Sequence, residues 1–222
     1  MIKFQYKTTF YAQPTYEFNL PAGHTCPFAK DCRICVDRES GKFKRTGERF
    51  RCYAASAERF PGVRKSRWGN YEALQRGEAI IIPQKATHIR IHGAGDFYSQ
   101  EYFNNWLSVC EENKEVKFWA FTKSLPYWVK RIDDIPTNLE LTASRGGTED
   151  YLIEEYGLKF ATVFSNIKDV PLWMPIDVDD TFAMYNLGAF ALLDNNKYSK
   201  KLREGASLIR GTQIKRGSDD VI

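Results

Sequence analysis

The chain has 222 residues, of which 43% are hydrophobic and 27% are charged, so its composition excludes a disordered chain and predicts one folded domain. No stretch approaches the roughly eighteen apolar residues of a membrane-spanning helix, and the first ten residues lack the apolar segment of a signal peptide. With a net charge of +4, we expect a soluble, cytoplasmic protein without a membrane partner.

The predicted elements alternate between strands and helices along most of the chain. The first strand is YEFNL, and a loop with three cysteines follows it. Further strands are predicted at 88–92, 117–122, 139–143, 159–164 and 189–193. Helices are predicted at 65–76, at 100–112 with Ser99 as N-cap, from Ser124 onward, and between a Thr148 cap and Gly157.

This alternation predicts the fold class. Strands that alternate with helices at intervals of roughly 20 to 30 residues are typically parallel and joined by right-handed crossovers. Five or six such units predict an α/β domain spanning 1–222, built as a partial, open TIM-like β/α barrel, with a doubly wound sheet as the alternative. Residues 22–68 are predicted to be a cysteine-rich, basic insertion. In both folds ligands bind at the carboxyl ends of the strands.

Four of the five cysteines are close in sequence, namely Cys26, Cys32, Cys35 and Cys52. In a reducing cytosol, this spacing favours metal ligands over disulfides. Zinc sites usually bring two tight cysteine pairs, and here only Cys32 and Cys35 form one. The spacing therefore predicts an iron-sulfur cluster, with zinc and unligated thiols as alternatives. Cys110 lies on the apolar side of a predicted helix and is interpreted as a core thiol.

Residues after the next strands supply a candidate cofactor site and rim. Gly93 and Gly95 allow close backbone approach to a cofactor, and Asp96 offers it a carboxylate, although Asp96 is equally suited to help cap a helix. The predicted substrate or anion rim consists of His92, Lys123, Ser144 and Arg145. The alternatives are solvent exposure for the two cations and a structural hydrogen bond for His92.

A basic, aromatic stretch precedes these strands. Nine lysines and arginines lie between Lys42 and Arg67, against two acids. Such a stretch is typical of a surface that binds single-stranded DNA or RNA, although a solvated face is the alternative. The candidate contact residues are Arg49, Arg51, Arg59, Arg64, Lys65, Arg67 and Trp68.

Three carboxyl groups lie close together near the C-terminal end, at Asp177, Asp179 and Asp180. They are suited to a hard divalent cation. They are more typical of an acidic turn before a helix, where negative charge is favourable. We predict the acidic turn.

The sequence resembles a family of tailed-phage proteins called gene-product-88-like. The resemblance is carried by FNLPAGHTCPFAKDC, FRCYAASAERFPGVRKSRW, IRIHGAGDFYSQEYFNNW, FWAFTKSLPYWV, NLELTAS and IDVDD with FALL. It implies a phage protein of the host cytosol, but no activity. In the family pattern, the equivalents of Cys26, Cys32 and Cys52 recur, whereas Cys35 is particular to this sequence. Val178 stands where relatives have histidine, which weakens a metal site at the aspartates.

A more distant resemblance is to radical S-adenosylmethionine enzymes. Those enzymes have a partial β/α barrel, a three-cysteine loop after the first strand that holds a 4Fe-4S cluster, and a cofactor-binding loop after the second strand. The resemblance therefore implies a cluster of the 4Fe-4S type. The order of elements here is similar, but Asp96 and Phe97 stand where that superfamily has glutamate and proline, and the first cysteine interval is longer. Cys52 as a fourth ligand would leave no open iron for S-adenosylmethionine.

These observations predict three functions in order. The first is an iron-sulfur protein of radical-enzyme-like architecture that binds nucleic acid. The second is an active radical S-adenosylmethionine enzyme that acts on a nucleotide or nucleic acid. The third is a zinc-stabilised interaction module without catalytic activity.

Overall fold

A computed structural model describes residues 1–8, 11–45 and 52–194. The strands in these ranges are β1 (Phe4–Lys7), β2 (Thr15–Asn19), β3 (Ile34–Val36), β4 (Phe43–Arg45), β5 (His88–Ala94), β6 (Lys117–Thr122), β7 (Leu139–Ser144), β8 (Phe160–Phe164) and β9 (Phe190–Leu193). The α-helices are α1 (Tyr53–Ala57), α2 (Pro61–Gln75), α3 (Gln100–Glu112), α4 (Leu125–Val129), α5 (Tyr151–Glu155) and α6 (Thr181–Tyr185).

Seven of these strands form one sheet in the order β1-β2-β5-β6-β7-β8-β9, and β3 pairs with β4 separately. β1 is antiparallel to β2, while every other pair in the large sheet is parallel. The parallel strands follow chain order without the reversal that defines a doubly wound sheet. The mixed α/β class is therefore shown, and closure into an open barrel stays a prediction.

Several predicted elements are confirmed. β6 and α3 have the predicted bounds, and the Ser99 hydroxyl accepts a hydrogen bond from the Tyr102 amide at 3.1 Å, as an N-cap does. The Thr148 cap is wrong, because α5 begins at Tyr151 after Asp150. The amide of Thr148 instead donates to the Phe28 carbonyl at 2.9 Å, which ties this turn to the cysteine loop.

Alternation along the strands divides their side chains between two faces of the sheet. The face toward α3, α4 and α5 carries the main core, which includes fully buried Phe18, Ile89, Phe118 and Trp106. Burial of each such side chain contributes about 1.5–3 kcal/mol. The opposite face, which we call the inner face, carries a second apolar cluster around Trp119 together with several polar residues.

Segments from both ends of the sheet meet over the inner face. The ring of Tyr11, in the connection between β1 and β2, packs edge-on against Trp119 with centroids 5.7 Å apart. The amide of Ala12 donates to the carbonyl of Asp179 at 3.0 Å, and α6 follows directly after that residue. The inner face is therefore covered by protein from both sides.

The predicted insertion at 22–68 contains the β3–β4 hairpin, α1 and the first half of α2. A small apolar cluster that includes Ala22, Ile34, Ala55 and Ala94 packs the hairpin and α1 against the end of β5. Residues 46–51 lie outside the described ranges. None of the helices that are described is long and apolar enough to cross a membrane.

Candidate functional site

Three cysteines come together beside the carboxyl ends of β2 and β5. Cys26 and Cys32 lie in the loop after β2, and Cys52 is the N-cap residue of α1. The Cys32 thiol donates a hydrogen bond to the Cys52 sulfur. The amide of Gly23 donates to Cys26 Sγ at 3.3 Å. We call Cys26, Cys32 and Cys52 the thiol trio.

The thiol trio is electrostatically asymmetric. The hydrogen bond from Cys32 lowers the pKa of Cys52, and the amides of Ala55 and Ala54 at the start of α1 lower it further against the effect of burial. The same hydrogen bond raises the pKa of Cys32, and burial raises the pKa of Cys26. The hydrogen bond therefore shifts the pKa values of Cys32 and Cys52 in opposite directions.

Cys35 does not join the thiol trio. It lies in the middle of β3, opposite Lys44 of β4. Burial raises its pKa, and the nearby charges that modify it belong to Arg33, Glu58 and Lys44. The structure thus brings together three of the four predicted ligands. Cys110 is fully buried in the main core, as predicted.

Within 1–8, 11–45 and 52–194, no group of three or more histidine, cysteine, aspartate or glutamate side chains is arranged to hold a metal ion. The thiol trio consequently does not form a ready site for a single ion such as zinc. Its donor chemistry nevertheless suits a soft metal centre, because thiolates are the ligands that zinc and iron-sulfur clusters take.

The candidate cofactor residues lie against the cysteine loop. The buried Asp96 carboxylate accepts hydrogen bonds from Phe97 N at 2.8 Å, Thr122 Oγ1 at 2.6 Å and Lys123 N at 2.8 Å. Burial outweighs these bonds and raises the pKa of Asp96 to about 6. Asp96 therefore joins the end of β5 to the end of β6, and it does not cap α3.

The two glycines allow close packing against β2 and its loop. A Cβ on Gly95, whose φ is +86°, would lie 2.6 Å from Thr25 Oγ1. A Cβ on Gly93 would lie 2.7 Å from Asn19 Oδ1. Both contacts are shorter than atoms tolerate, so these glycines bring β5 close to the cysteine side of the site.

The rim residues are engaged within the protein. Lys123 Nζ donates to the Ser144 carbonyl at 2.7 Å, to Ser144 Oγ at 2.8 Å and to the Arg145 carbonyl at 2.7 Å. Arg145 forms an ion pair with Glu154 and lies over the Phe160 ring. These cations join neighbouring strand ends and helices.

His92 forms a structural hydrogen bond, which is the alternative to a role at the rim. Its Nε2 is 2.8 Å from the Tyr102 hydroxyl, and burial lowers the pKa of the imidazole to about 3, so the ring is neutral. A positive φ of 69° places it at an irregularity between β2 and β5, where Phe18 pairs with Ile91 and Asn19 with Ala94. Such bulges redirect side chains near functional sites.

The basic stretch is only partly available for a ligand. Arg64 is buried and donates to the carbonyls of Glu58 at 2.7 Å and Arg59 at 2.9 Å, while buried Arg67 donates to Glu58 Oε1 at 2.8 Å. Their predicted contact with nucleic acid conflicts with these internal bonds.

The rest of the stretch is more open. Arg59 and Lys65 are exposed, and the Trp68 ring packs against His24 with centroids 4.7 Å apart and an angle of 43° between the ring planes. Lys65 and Trp68 line a groove of about 620 Å³. Arg49 and Arg51 lie outside the described residues.

The acidic turn is confirmed, and sequence reasoning missed its partner. Asp177 Oδ2 accepts from Phe182 N at 3.1 Å, and Asp180 precedes α6 as its N-cap residue. The carboxyl group of Asp180 lies 3.0 Å from Arg90 Nη1. An arginine inside the apolar strand HIRIH was the available signal, since an unpaired charge is rarely buried.

The sequence model of the family described as Gene product 88 matches residues 2–207. No curated protein and no solved structure matches, so the resemblance to radical S-adenosylmethionine enzymes finds no support there. Because this match covers nearly all of the residues that the structure describes, the chain belongs to the bacteriophage gene product 88 family.

Proposed function

We propose that the thiol trio binds an iron-sulfur cluster, of the 4Fe-4S type, at the carboxyl end of the parallel strands. The observation that supports the proposal is the set of electrostatic and hydrogen-bond interactions among Cys26, Cys32 and Cys52, in which Cys35 takes no part. Each ligating thiolate of such a cluster binds a different iron, so the ligands need not meet around a single point as zinc ligands must.

The surroundings of the thiol trio also suit thiolates. The Gly23 amide donates to Cys26 Sγ, as backbone amides do to the sulfurs of metal centres. The positive charge of Lys123 lowers the pKa of both Cys26 and Cys32, against the larger effect of burial. Deprotonation on binding would release Cys32 from its hydrogen bond to Cys52.

A 4Fe-4S cluster held by Cys26, Cys32 and Cys52 would have one iron without a cysteine ligand. When bound, such a cluster supplies a reducible centre with an open position that a small molecule can occupy. In this proposal Cys52 is one of three ligands, so it does not close the cluster as a fourth ligand would. We accordingly rank a small-molecule enzyme of the S-adenosylmethionine type above a purely structural cluster.

The open barrel belongs to the same proposal. Strands in chain order and a covered inner face are both features of barrel folds. A barrel would direct the thiol trio toward a ligand on the inner face. Nucleic-acid binding is the lesser candidate, because Arg64 and Arg67 are used internally, and it relies on Arg59, Lys65 and Trp68.

Anaerobic purification followed by iron, sulfide and zinc analysis tests the proposal. We expect a brown protein with iron and sulfide, and loss of both in Cys26→Ser, Cys32→Ser and Cys52→Ser. Cys35→Ser is the matched control and should retain both. A colourless protein with one zinc would replace the cluster by a zinc module.

A further inference from the structure

A polar cluster lies on the inner face of the sheet beside the thiol trio. Arg90 of β5 occupies its centre, with Nη1 at 3.0 Å from Asp180 Oδ2 and donating to the Tyr11 hydroxyl at 3.1 Å. Tyr11 donates in turn to Glu17 of β2, and Asn19 Nδ2 donates to Glu17 Oε2 at 3.2 Å. We call Glu17, Asn19, Arg90, Asp180 and the adjacent Thr142 the inner polar cluster.

Three buried polar atoms of this cluster have no hydrogen-bond partner among the described residues, namely Asn19 Oδ1, Arg90 Nε and Thr142 Oγ1. Thr142 is 0% exposed and Arg90 is 8% exposed. Nearly all buried polar side-chain atoms in folded proteins are paired, and each exception requires an explanation. Three exceptions on one face of one sheet indicate that a bound molecule supplies the partners.

The strand pairing relates Arg90 of β5 to Thr142 of β7 through β6, the strand that lies between them. Arg90 pairs with Trp119, and Phe121, two residues further along β6, pairs with Thr142 of β7. The guanidinium carbon of Arg90 lies 5.0 Å from the centre of the Phe121 ring. Arg90 and Thr142 therefore flank the same aromatic ring.

Tyr53 connects the inner polar cluster to the thiol trio. It follows Cys52 in the chain, and its hydroxyl donates to the Gly93 carbonyl at 3.0 Å and accepts from Arg90 Nη2 at 3.4 Å. Tyr53 would thus lie between a molecule held by the inner polar cluster and Cys52, a ligand of the proposed iron-sulfur cluster.

The unpaired atoms define the chemistry of the ligand. Asn19 Oδ1 can only accept, since the amide nitrogen already faces Glu17, whereas Arg90 Nε can only donate. The inner polar cluster contains two carboxyl groups, from Glu17 and Asp180, and one guanidinium group, from Arg90. This balance of charge disfavours an anionic ligand such as a phosphate or a carboxylate. The complementary ligand is uncharged and presents an N–H group beside a carbonyl.

We propose that the inner polar cluster binds a nucleobase or a similar lactam, held between Asn19, Arg90 and Thr142. The proposal deepens the function proposed above, because this molecule would be the substrate presented to the iron-sulfur cluster. A site built to hydrogen-bond such groups discriminates strongly against analogues that lack them.

Calorimetric titration with uracil and with hypoxanthine tests this site, in protein with and without iron. We expect saturable binding of at least one base, and binding at least tenfold weaker, equivalent to about 1.4 kcal/mol, in Thr142→Val. Thr87→Val removes an exposed threonine hydroxyl and should bind like the wild type. Thr142→Ser keeps the hydroxyl and should bind within about threefold of the wild type.

The outcomes separate the two proposals. Failure of both bases to bind at millimolar concentration, or unchanged binding in Thr142→Val, overturns the nucleobase site even if iron and sulfide are present. Base binding by a protein that never acquires iron supports this site and overturns the cluster. If Thr142→Val does not fold, loss of binding on Thr142→Ser would contradict the proposed geometry, because that variant keeps the hydrogen-bonding group.

Discussion

A buried ion pair positions the two segments that carry the thiol trio. Glu58 Oε1 accepts from the Ala22 amide at 2.7 Å, just before the cysteine loop, and from Arg67 Nη1 at 2.8 Å. Arg67 also donates to the Ala54 carbonyl of α1 at 2.8 Å. The side chain of Glu58 is 1% exposed and that of Arg67 is 10% exposed, so solvent screens this pair little.

The Glu58→Gln substitution keeps a neutral acceptor for both hydrogen bonds but removes the negative charge. At 2.8 Å and an effective dielectric constant of about 20, the Coulomb attraction is about 6 kcal/mol, most of which offsets desolvation. Leaving Arg67 buried without a counter-charge should therefore lower the free energy of unfolding by about 3–5 kcal/mol. Urea denaturation followed by circular dichroism measures this change.

Asp134→Asn is the matched control, because the Arg131–Asp134 pair has the same 2.8 Å distance but side chains that are 36% and 59% exposed. Its loss should cost about 1 kcal/mol or less. The reasoning would be refuted if Glu58→Gln cost no more than this control. The double variant Glu58→Gln/Arg67→Met should be less destabilised than the sum of its single variants.

Three further predictions follow from local geometry. Gly23→Ala should lower the melting temperature more than Gly77→Ala does. Both residues have φ of +75°, but only at Gly23 would the new Cβ meet a backbone atom, at 2.1 Å from the Ile34 carbonyl oxygen. Equal melting temperatures of the two variants would contradict this. In metal-free protein, glutathione disulfide should link Cys32 to Cys52, which are already hydrogen-bonded, and peptide mapping that found Cys26 linked instead would refute the arrangement. Because burial lowers the pKa of His92 to about 3, the stability of its neutral form is fully present above the unfolded pKa of about 6.5 and is lost as the pH falls. The destabilisation caused by His92→Gln should therefore shrink by about 2 kcal/mol from pH 7 to pH 5, and a constant difference in unfolding free energy would refute a buried neutral ring.

The regular part of the fold was predictable from sequence because its signals are local. KFWAFT has strand composition, and Ser99 before an apolar helical pattern defines the start of α3, so both elements have the predicted bounds. The three-residue strands β3 and β4 are too short to show a period. Their pairing nevertheless decides the position of Cys35, which lies opposite Lys44.

The roles of the charged residues were harder to predict because they depend on tertiary partners. α2 begins at Pro61, four residues earlier than predicted, and this helix buries Arg64 and Arg67 instead of presenting them to a ligand. Lys123 and Asp96 follow strand ends as expected, yet the side chain of each is hydrogen-bonded to a residue at the end of a neighbouring strand. Their positions could be inferred from topology, whereas their hydrogen bonds could not.

Iron and sulfide content, measured side by side in anaerobically purified Cys35→Ser and Cys52→Ser proteins, tests the central claim most directly. The convergence of three thiols predicts that Cys35→Ser retains the iron and sulfide of the wild type, while Cys52→Ser loses them. Loss of the cluster in Cys35→Ser, or its retention in Cys52→Ser, would contradict the proposed three-cysteine site.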